Sequence, residues 1–131
     1  GLLERDHSLA ESYRCGLAHS ENGLITIDYR DMIRQIVSDL ADGVCRATIS
    51  RKFHSTVVEV LVVVSEELSR LFRISQLALS GGVFMHEFLM INAYQRLKEI
   101  GLNPYFHKKI PPNDAGISYG QIAVAIVAAQ Q

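Results

Sequence analysis

A turn of small residues, at positions 80–83, follows the apolar segment LALS and opens what the pattern predicts to be a helix. In this glycine turn (Ser80, Gly81, Gly82, Val83), two residues without a Cβ let the backbone approach a ligand closely. The first N–H groups of a helix lack partners, and the helix dipole favours negative charge there. An anion such as a nucleotide phosphate would fit above this turn. A tight turn that only needs a positive backbone angle is the alternative.

A second candidate is the loop PPNDAG at positions 111–116, called the proline loop below. Two prolines keep it extended, and it delivers Asp114 to the first turn of the last predicted helix. A carboxylate there could hold a metal ion, or the water around one. Alternatively, Asp114 serves only as the N-cap of that helix.

Three histidines, His54, His86 and His107, could also take part in chemistry. None forms an H-x-x-x-H pair, and no Glu or Cys joins them at the spacing of a zinc site. The simpler interpretation of each is a hydrogen-bonded structural residue. The sequence contains no nucleophile elbow, Walker A loop or paired catalytic carboxylates.

The second half of the chain must position these residues. ISQLALS is typical of a short strand buried on both faces, and NPYFHKK resembles a second strand. An amphipathic helix is predicted over residues 84–100, stopped by Gly101, and a helix rich in small residues over 115–130. This βαβα order implies parallel strands with covering helices. The glycine turn and the proline loop would then both open at the carboxyl edge of the sheet, where ligands bind.

The first half begins with helical spacing over residues 2–12. The segment HSENG, ending in Asn22 and Gly23, separates two strand-like pieces and predicts an N-terminal β-hairpin. Asp28 is the predicted N-cap of a helix that ends near Gly43.

Residues 44–72 contain a valine cluster that would favour a strand, but the length and the charge pattern favour a helix. Apolar residues in this segment lie three or four positions apart: Phe53, Val57, Val60, Leu61, Val64, Leu68 and Leu71.

Composition limits the function classes. With 131 residues, 48% of them hydrophobic, and a net charge of −1, the chain is globular and lacks the basic face of a nucleic-acid binder. The longest apolar run, VEVLVVV, is too short to span a membrane, and the N-terminus is too charged for a signal peptide. Two cysteines without a C-x-x-C motif fit a reducing cytoplasm, although a disulfide between Cys15 and Cys45 is left open.

Three segments, FHST, LALSGGVF and PPNDAGISYGQ, occur in an order and spacing that resemble the C-terminal part of HypF, the carbamoyltransferase of [NiFe] hydrogenase maturation. LLERDHSLAES also resembles the segment that leads into this region. The resemblance implies an α/β fold: half of an actin-like, ribonuclease-H-like ATPase module with a short mixed sheet, covering helices and the hairpin. Residues 1–131 would form a single domain, the C-terminal subdomain of a Kae1-like module.

The resemblance also implies a chemistry. HypF proteins use carbamoyl phosphate and ATP to form a carbamoyl adenylate, and transfer the carbamoyl group to a cysteine thiol of HypE. By this resemblance Ser80, Gly81, Gly82 and His86 are nucleotide-binding, and Asp114 helps to hold a divalent metal ion. The family has Asn where this chain has His86, and the two histidines that complete the metal site are not in the chain.

The chain is therefore expected to be a fragment that does not transfer carbamoyl groups alone. It should expose apolar surface where its other half docks, and should self-associate through that surface. The alternative is a non-catalytic actin-like lobe that binds a partner. The two hypotheses differ in whether a longer chain binds nucleotide.

Overall fold

The structure is a computed structural model that describes residues 11–19 and 24–130. The helices and strands follow in the order β1 (Gly16–His19), β2 (Ile25–Asp28), α1 (Arg30–Ala41), α2 (Arg46–Phe72), β3 (Gln76–Leu79), α3 (Glu87–Glu99), β4 (Asn103–Phe106) and α4 (Ile117–Ala128). Short 3-10 turns, Gly82–Met85 and Asp114–Gly116, precede α3 and α4. The predicted α/β class is confirmed.

The predicted N-terminal hairpin is present, because β1 and β2 pair antiparallel from Gly16 opposite Asp28 to His19 opposite Ile25. Its turn at Asn22 and Gly23 lies outside the described residues. The helix predicted over residues 2–12 also lies mostly outside them, and the last two of those positions are not helical.

Helix α1 begins later than predicted, and Asp28 is not its N-cap. Tyr29 occupies that position, while the Asp28 carboxylate accepts hydrogen bonds from the backbone N–H and the guanidinium of Arg30. The guanidinium holds the pKa of Asp28 down at about 2. Gly43 ends the turn after α1 with a φ of +75°, as its position predicted.

The long segment is helical, so the helix interpretation of the valine cluster is confirmed. The apolar residues that indicated this helix are not all buried, because Phe53 and Leu71 are exposed whereas Val57 and Leu61 pack against the core. The most buried side chains of α2 are instead Ile49, Ser55, Thr56, Val58 and Val62. Thr56 is accommodated there because its hydroxyl donates to the Lys52 carbonyl four residues back.

Strands β3 and β4 pair in parallel, from Gln76 beside Asn103 to Leu79 beside Phe106. The parallel pairing follows from the βαβ order and is confirmed. The prediction that β3 is buried on both faces is wrong. Leu79 is buried and Leu77 half-buried, but Gln76 and Ala78 are exposed, because no described element covers that face.

The helix predicted over residues 84–100 is broken. The 3-10 turn Gly82–Met85 is followed by His86 in an extended conformation, and α3 begins only at Glu87. Gly101 ends α3 with a φ of +83°. The glycine turn therefore does not lead directly into an α-helix.

The main core lies between α2, α3 and β3. Its buried members are Val58, Val62, Leu79, Leu89, Ala93, Leu97 and Leu102. Arg96 of α3 also pairs with Glu59 of α2, with two N–O distances of 2.5 and 3.2 Å. Contrary to the prediction of covering helices, helix α4 does not cover the sheet, because none of its residues is buried. Its apolar side chains are exposed, Val124 by 70%.

A second packing region joins the N-terminal segment to α1 and α2. Tyr13 is buried, and its hydroxyl donates to Asp39 at 2.7 Å. Lys52 donates to the same carboxylate oxygen at 2.7 Å and lies 4.4 Å from the centre of the Tyr13 ring. Burial and the Asp39 carboxylate together raise the pKa of Tyr13 to about 12.

Both cysteines are free thiols, so the disulfide left open by the sequence is absent. Cys15 is half-buried beside the Asp28 carbonyl, and Cys45 is exposed at the start of α2. Across residues 11–19 and 24–130, no helix has both the length and the apolar character needed to cross a membrane.

Candidate functional site

The register of β3 and β4 places the residues that follow them side by side. Because Leu79 pairs with Phe106, the chain continues from both strands at the same carboxyl edge, with Ser80 next to His107. Ser80 Oγ and His107 Nε2 lie 3.0 Å apart, within hydrogen-bond distance. Both side chains are exposed, so this pair lies at the surface.

The glycine turn and the proline loop meet at this edge, as the parallel arrangement predicted. The Gly81 N–H donates to the Pro112 carbonyl at 3.0 Å. A Cβ placed on Gly82 would lie 3.9 Å from the Cβ of Asn113, which is ordinary contact. Gly81 has a φ of +106°, a conformation that favours glycine.

The hydrogen bonding of the glycine turn differs from the expectation of free backbone donors. The Gly81 N–H is already paired with the proline loop, and the Phe84 N–H is paired with the Gly81 carbonyl. In part this supports the alternative of a tight turn with a positive angle. This hydrogen bond joins the glycine turn directly to the proline loop, so the two segments lie together at this edge.

A cavity of about 540 Å³ opens beside the two loops. Its lining is formed by Ser80, His107, Ile110, Pro111, Pro112, Asn113, Gly116, Ile117, Tyr119, Gly120 and Ala123. None of these described residues is acidic. The cavity therefore combines an apolar wall from the start of α4 with hydroxyl, imidazole and amide groups.

Gly116 keeps the far side of the proline loop tightly folded. A Cβ at this position would lie 2.9 Å from the Pro111 carbonyl oxygen and 3.3 Å from Ile110 Cγ2. The first of these distances is shorter than real Cβ contacts allow, so only glycine fits without a shift of the loop.

Asp114 is not the helix cap. The side chain of Asn113 accepts from the Ala115 N–H at 3.2 Å and so caps the 3-10 turn instead. With the part of the chain that the structure describes, the Asp114 carboxylate makes no hydrogen bond or ion pair, and it is exposed. It is also not among the residues that line the 540 Å³ cavity. Asp114 is thus available to a ligand beyond this cavity wall.

A metal ion could use Asp114 but not a preformed set of ligands. Among the described residues, no group of three or more His, Cys, Asp or Glu side chains is arranged to hold a metal ion. Tight binding needs several ligands, so the described residues do not by themselves fit a divalent cation.

His86 lies in a different place from Ser80. Its ring stacks on His54 of α2, with ring centres 4.5 Å apart and planes 22° apart. His54 Nδ1 lies 2.7 Å from the Ser50 carbonyl, so this nitrogen carries the proton that it donates. The stacked pair lines a separate cavity of about 280 Å³ with Ala47, Ser50, Arg51 and Phe88.

The sequence marked His107 as a possible functional residue but did not predict its pairing with Ser80, nor the contact between His54 and His86. A histidine that ends a strand carries little signal alone. The strand register could have found it, because aligning LALS with YFH places Ser80 beside His107. The His54–His86 contact joins α2 to the start of α3, and no local pattern indicates it.

The geometry defines one lobe of an α/β domain: a parallel strand pair, helices on one face, and two loops that meet at the carboxyl edge. Residues 3–121 match the family described as carbamoyltransferase, Kae1-like domain, second subdomain. The chain therefore belongs to the HypF carbamoyltransferase family, within the Kae1-like domain.

Individual relatives agree with this family. The chain is 28% identical over 123 residues to the carbamoyltransferase HypF of Synechocystis sp., covering 94% of the chain and 15% of the relative. It is 30% identical over 118 residues to HypF of Rhizobium leguminosarum bv. viciae, covering 90% and 15%. The chain thus spans about 15% of the length of these relatives.

Solved structures confirm the predicted fold, half of the actin-like module of HypF. A crystal structure of full-length HypF in the phosphate- and nucleotide-bound form superposes with a TM-score of 0.80 at 31% identity, covering 95% of this chain and 16% of that one. HypF of T. kodakarensis superposes with a TM-score of 0.65 at 20% identity, covering 96% and 15%, and supports the fold.

Proposed function

We propose that the chain forms one wall of the nucleotide and metal site of a HypF-type carbamoyltransferase. The complete protein would use carbamoyl phosphate and ATP to carbamoylate the C-terminal cysteine of HypE in [NiFe] hydrogenase maturation. The observation that carries the proposal is the Gly81 to Pro112 hydrogen bond, which joins the glycine turn and the proline loop at one edge. The full-length HypF crystal structure that superposes with the higher TM-score is in the phosphate- and nucleotide-bound form.

In this proposal Ser80, Gly81 and Gly82 lie against the phosphates of ATP. These residues and the Ser80 hydroxyl are at the carboxyl edge of parallel strands, the usual place for such ligands. The base of the nucleotide lies toward His86, whose imidazole, together with His54, offers a stacked aromatic surface beside the Arg51 guanidinium. Flat π-surfaces and a cation suit a purine ring.

Asp114 supplies one carboxylate to the divalent metal ion, and residues outside this chain complete the site. The exposed carboxylate has no competing partner among the described residues. Because one ligand is not enough, the isolated chain should neither bind the metal tightly nor turn over carbamoyl phosphate and ATP.

The test uses a longer chain that adds the rest of the Kae1-like domain. We expect it to bind ATP with a divalent cation, and expect Asp114→Asn to weaken metal-dependent ATP binding by about 10-fold to 100-fold. Asp42→Asn, an exposed aspartate after α1, is the matched control and should leave binding unchanged. Equal ATP binding by the Asp114→Asn variant and the unsubstituted chain would refute the role of Asp114.

A second candidate is a non-catalytic lobe that binds a partner protein. It is favoured by His86, which stands where the family has Asn and is engaged with His54 rather than with the 540 Å³ cavity. The same titration distinguishes the two: this candidate predicts no measurable ATP binding by the longer chain.

A further inference from the structure

We infer that His107 and Ser80 form an anion-binding pair that binds more tightly when the imidazole is protonated. The inference rests on the proposed function for placing a phosphate at this edge, and it adds His107 as a residue that positions the Ser80 hydroxyl. Neither the strand-end histidine nor its pairing with Ser80 belongs to the nucleotide contacts proposed above.

The positions of Ser80 and His107 are fixed by the backbone around them. The β3–β4 register fixes the two backbones, and the Gly81 to Pro112 hydrogen bond fixes the loops on both sides. The 3.0 Å separation of Ser80 Oγ and His107 Nε2 leaves one of these two atoms as donor and the other as acceptor. Both groups line the 540 Å³ cavity.

Protonation of His107 changes which atom donates. In one tautomer of the neutral ring, Nε2 accepts the hydroxyl hydrogen of Ser80, and this hydrogen is then not available to a ligand. In the imidazolium, Nε2–H must donate to Ser80 Oγ. The hydroxyl hydrogen then becomes free to donate into the cavity, and the ring adds a positive charge. Both changes favour an anion.

The charges around the pair support an anion over a cation. None of the described residues that line the 540 Å³ cavity is acidic. Lys108 and Lys109 share a neighbouring cavity of about 360 Å³ with His107, which also receives Met85 from the segment before α3. Asp114, the carboxylate of the proline loop, lies outside the lining of both cavities.

The test is a sulfate titration of the 131-residue chain. Binding is monitored through the NMR amide signals of Gly81 and Gly82. Sulfate is chosen because, unlike phosphate, it does not change charge over the range in which histidine titrates, about pH 5 to 8. We expect sulfate to bind about fivefold to tenfold more tightly at the acid end of this range than at the alkaline end. His107→Gln keeps a polar side chain but cannot titrate, so its affinity should not change with pH.

Two further variants define the roles. Ser80→Ala should bind sulfate more weakly at acid pH, because the released hydroxyl is missing. His19→Gln alters an exposed histidine of β1 and should keep the full pH dependence. Since Ser80 and His107 are exposed, the variants are expected to fold, and their amide spectra show whether they do.

No sulfate binding, or equal pH dependence in His107→Gln and the unsubstituted chain, would overturn the inference. ATP binding by the longer chain is a separate measurement. If the longer chain binds ATP but the sulfate affinity does not depend on pH, the inference about Ser80 and His107 is refuted and the proposed function stands. If the sulfate affinity depends on His107 but the longer chain does not bind ATP, the anion-binding role of the pair is supported and the proposed function is refuted.

Discussion

Helices α3 and α4 have nearly the same length but opposite environments. Helix α3 carries charged residues at both ends and buries Leu89, Asn92, Ala93 and Leu97 against α2 and β3. Helix α4 has no charged residue, yet none of its side chains is buried. Apolar composition therefore does not decide burial within this chain. An amphipathic helix needs one facing surface, whereas a helix that is apolar on all sides needs cover on all sides.

The largest expected effect on stability comes from a substitution in α3, and the equivalent change in α4 should have almost none. Leu97→Ala should lower the free energy of unfolding by about 2–5 kcal/mol, because a fully buried side chain leaves a cavity. Ile122→Ala, in exposed α4, should change it by less than about 0.5 kcal/mol at concentrations where the chain is monomeric. Urea unfolding monitored by circular dichroism measures both. Similar losses for the two variants would mean that α4 is packed in solution.

The Tyr13 region sharpens the comparison, because it gives α2 a second set of contacts besides those with α3. The folded pKa of Tyr13, about 12, lies above its usual value, so the protonated phenol is favoured in the folded state. The sign follows: this stability is fully present below about pH 10 and is lost as the pH rises from about 10 to about 12. Urea unfolding across this range measures the loss.

The control for that loss is Tyr13→Phe, which removes the hydroxyl that donates to Asp39. At neutral pH it should cost about 1 kcal/mol, the usual value of one hydrogen bond. Above pH 10 its stability should fall less steeply than that of the unsubstituted chain. Parallel curves would show that another group causes the alkaline loss.

A smaller effect tests the polar link between α2 and α3. Arg96→Met should lower the free energy of unfolding by about 0.5–1 kcal/mol, since the guanidinium pairs with Glu59 across the two helices. Added salt should reduce the difference. Arg34→Met removes an exposed pair within α1, and should cost less. If the two substitutions cost the same, the Arg96 pair adds nothing to helix packing.

Substitutions in α4 should have the smallest effect on the stability of the fold. Their expected effect is on self-association, which is measured instead. We expect the isolated chain to self-associate through its exposed apolar surface, and Ile122→Ser combined with Val124→Ser to shift it toward monomer. The free energy of unfolding of the monomer should hardly change. Size-exclusion chromatography with light scattering measures the mass, and a monomer at high concentration before any substitution would contradict the prediction.

The sequence predicts most of the elements of this fold because their signals are local. The turn glycines, the helical spacing of α2 and the βαβ order of the second half need no tertiary information. The parallel strands follow from that order, and with them the meeting of the glycine turn and the proline loop.

The predictions from the sequence fail where contacts between distant segments determine the local conformation or the burial of a residue. His86 interrupts the predicted helix and lies against His54 of α2, a contact between distant segments. Asn113 rather than Asp114 caps the turn, a difference of one position that composition cannot resolve. Ala78 is exposed although its strand is apolar, because no element among the described residues covers it.

The tight fit at Gly116 has a consequence for the mouth of the cavity. One additional methyl group at this position would collide with the Pro111 oxygen and push the prolines toward the glycine turn or away from it. Either movement would change the separation of the segments that carry Ser80 and Asp114. The absence of a side chain at Gly116 therefore helps to keep the opening at its present width, and with it the size of the ligand that the cavity can admit.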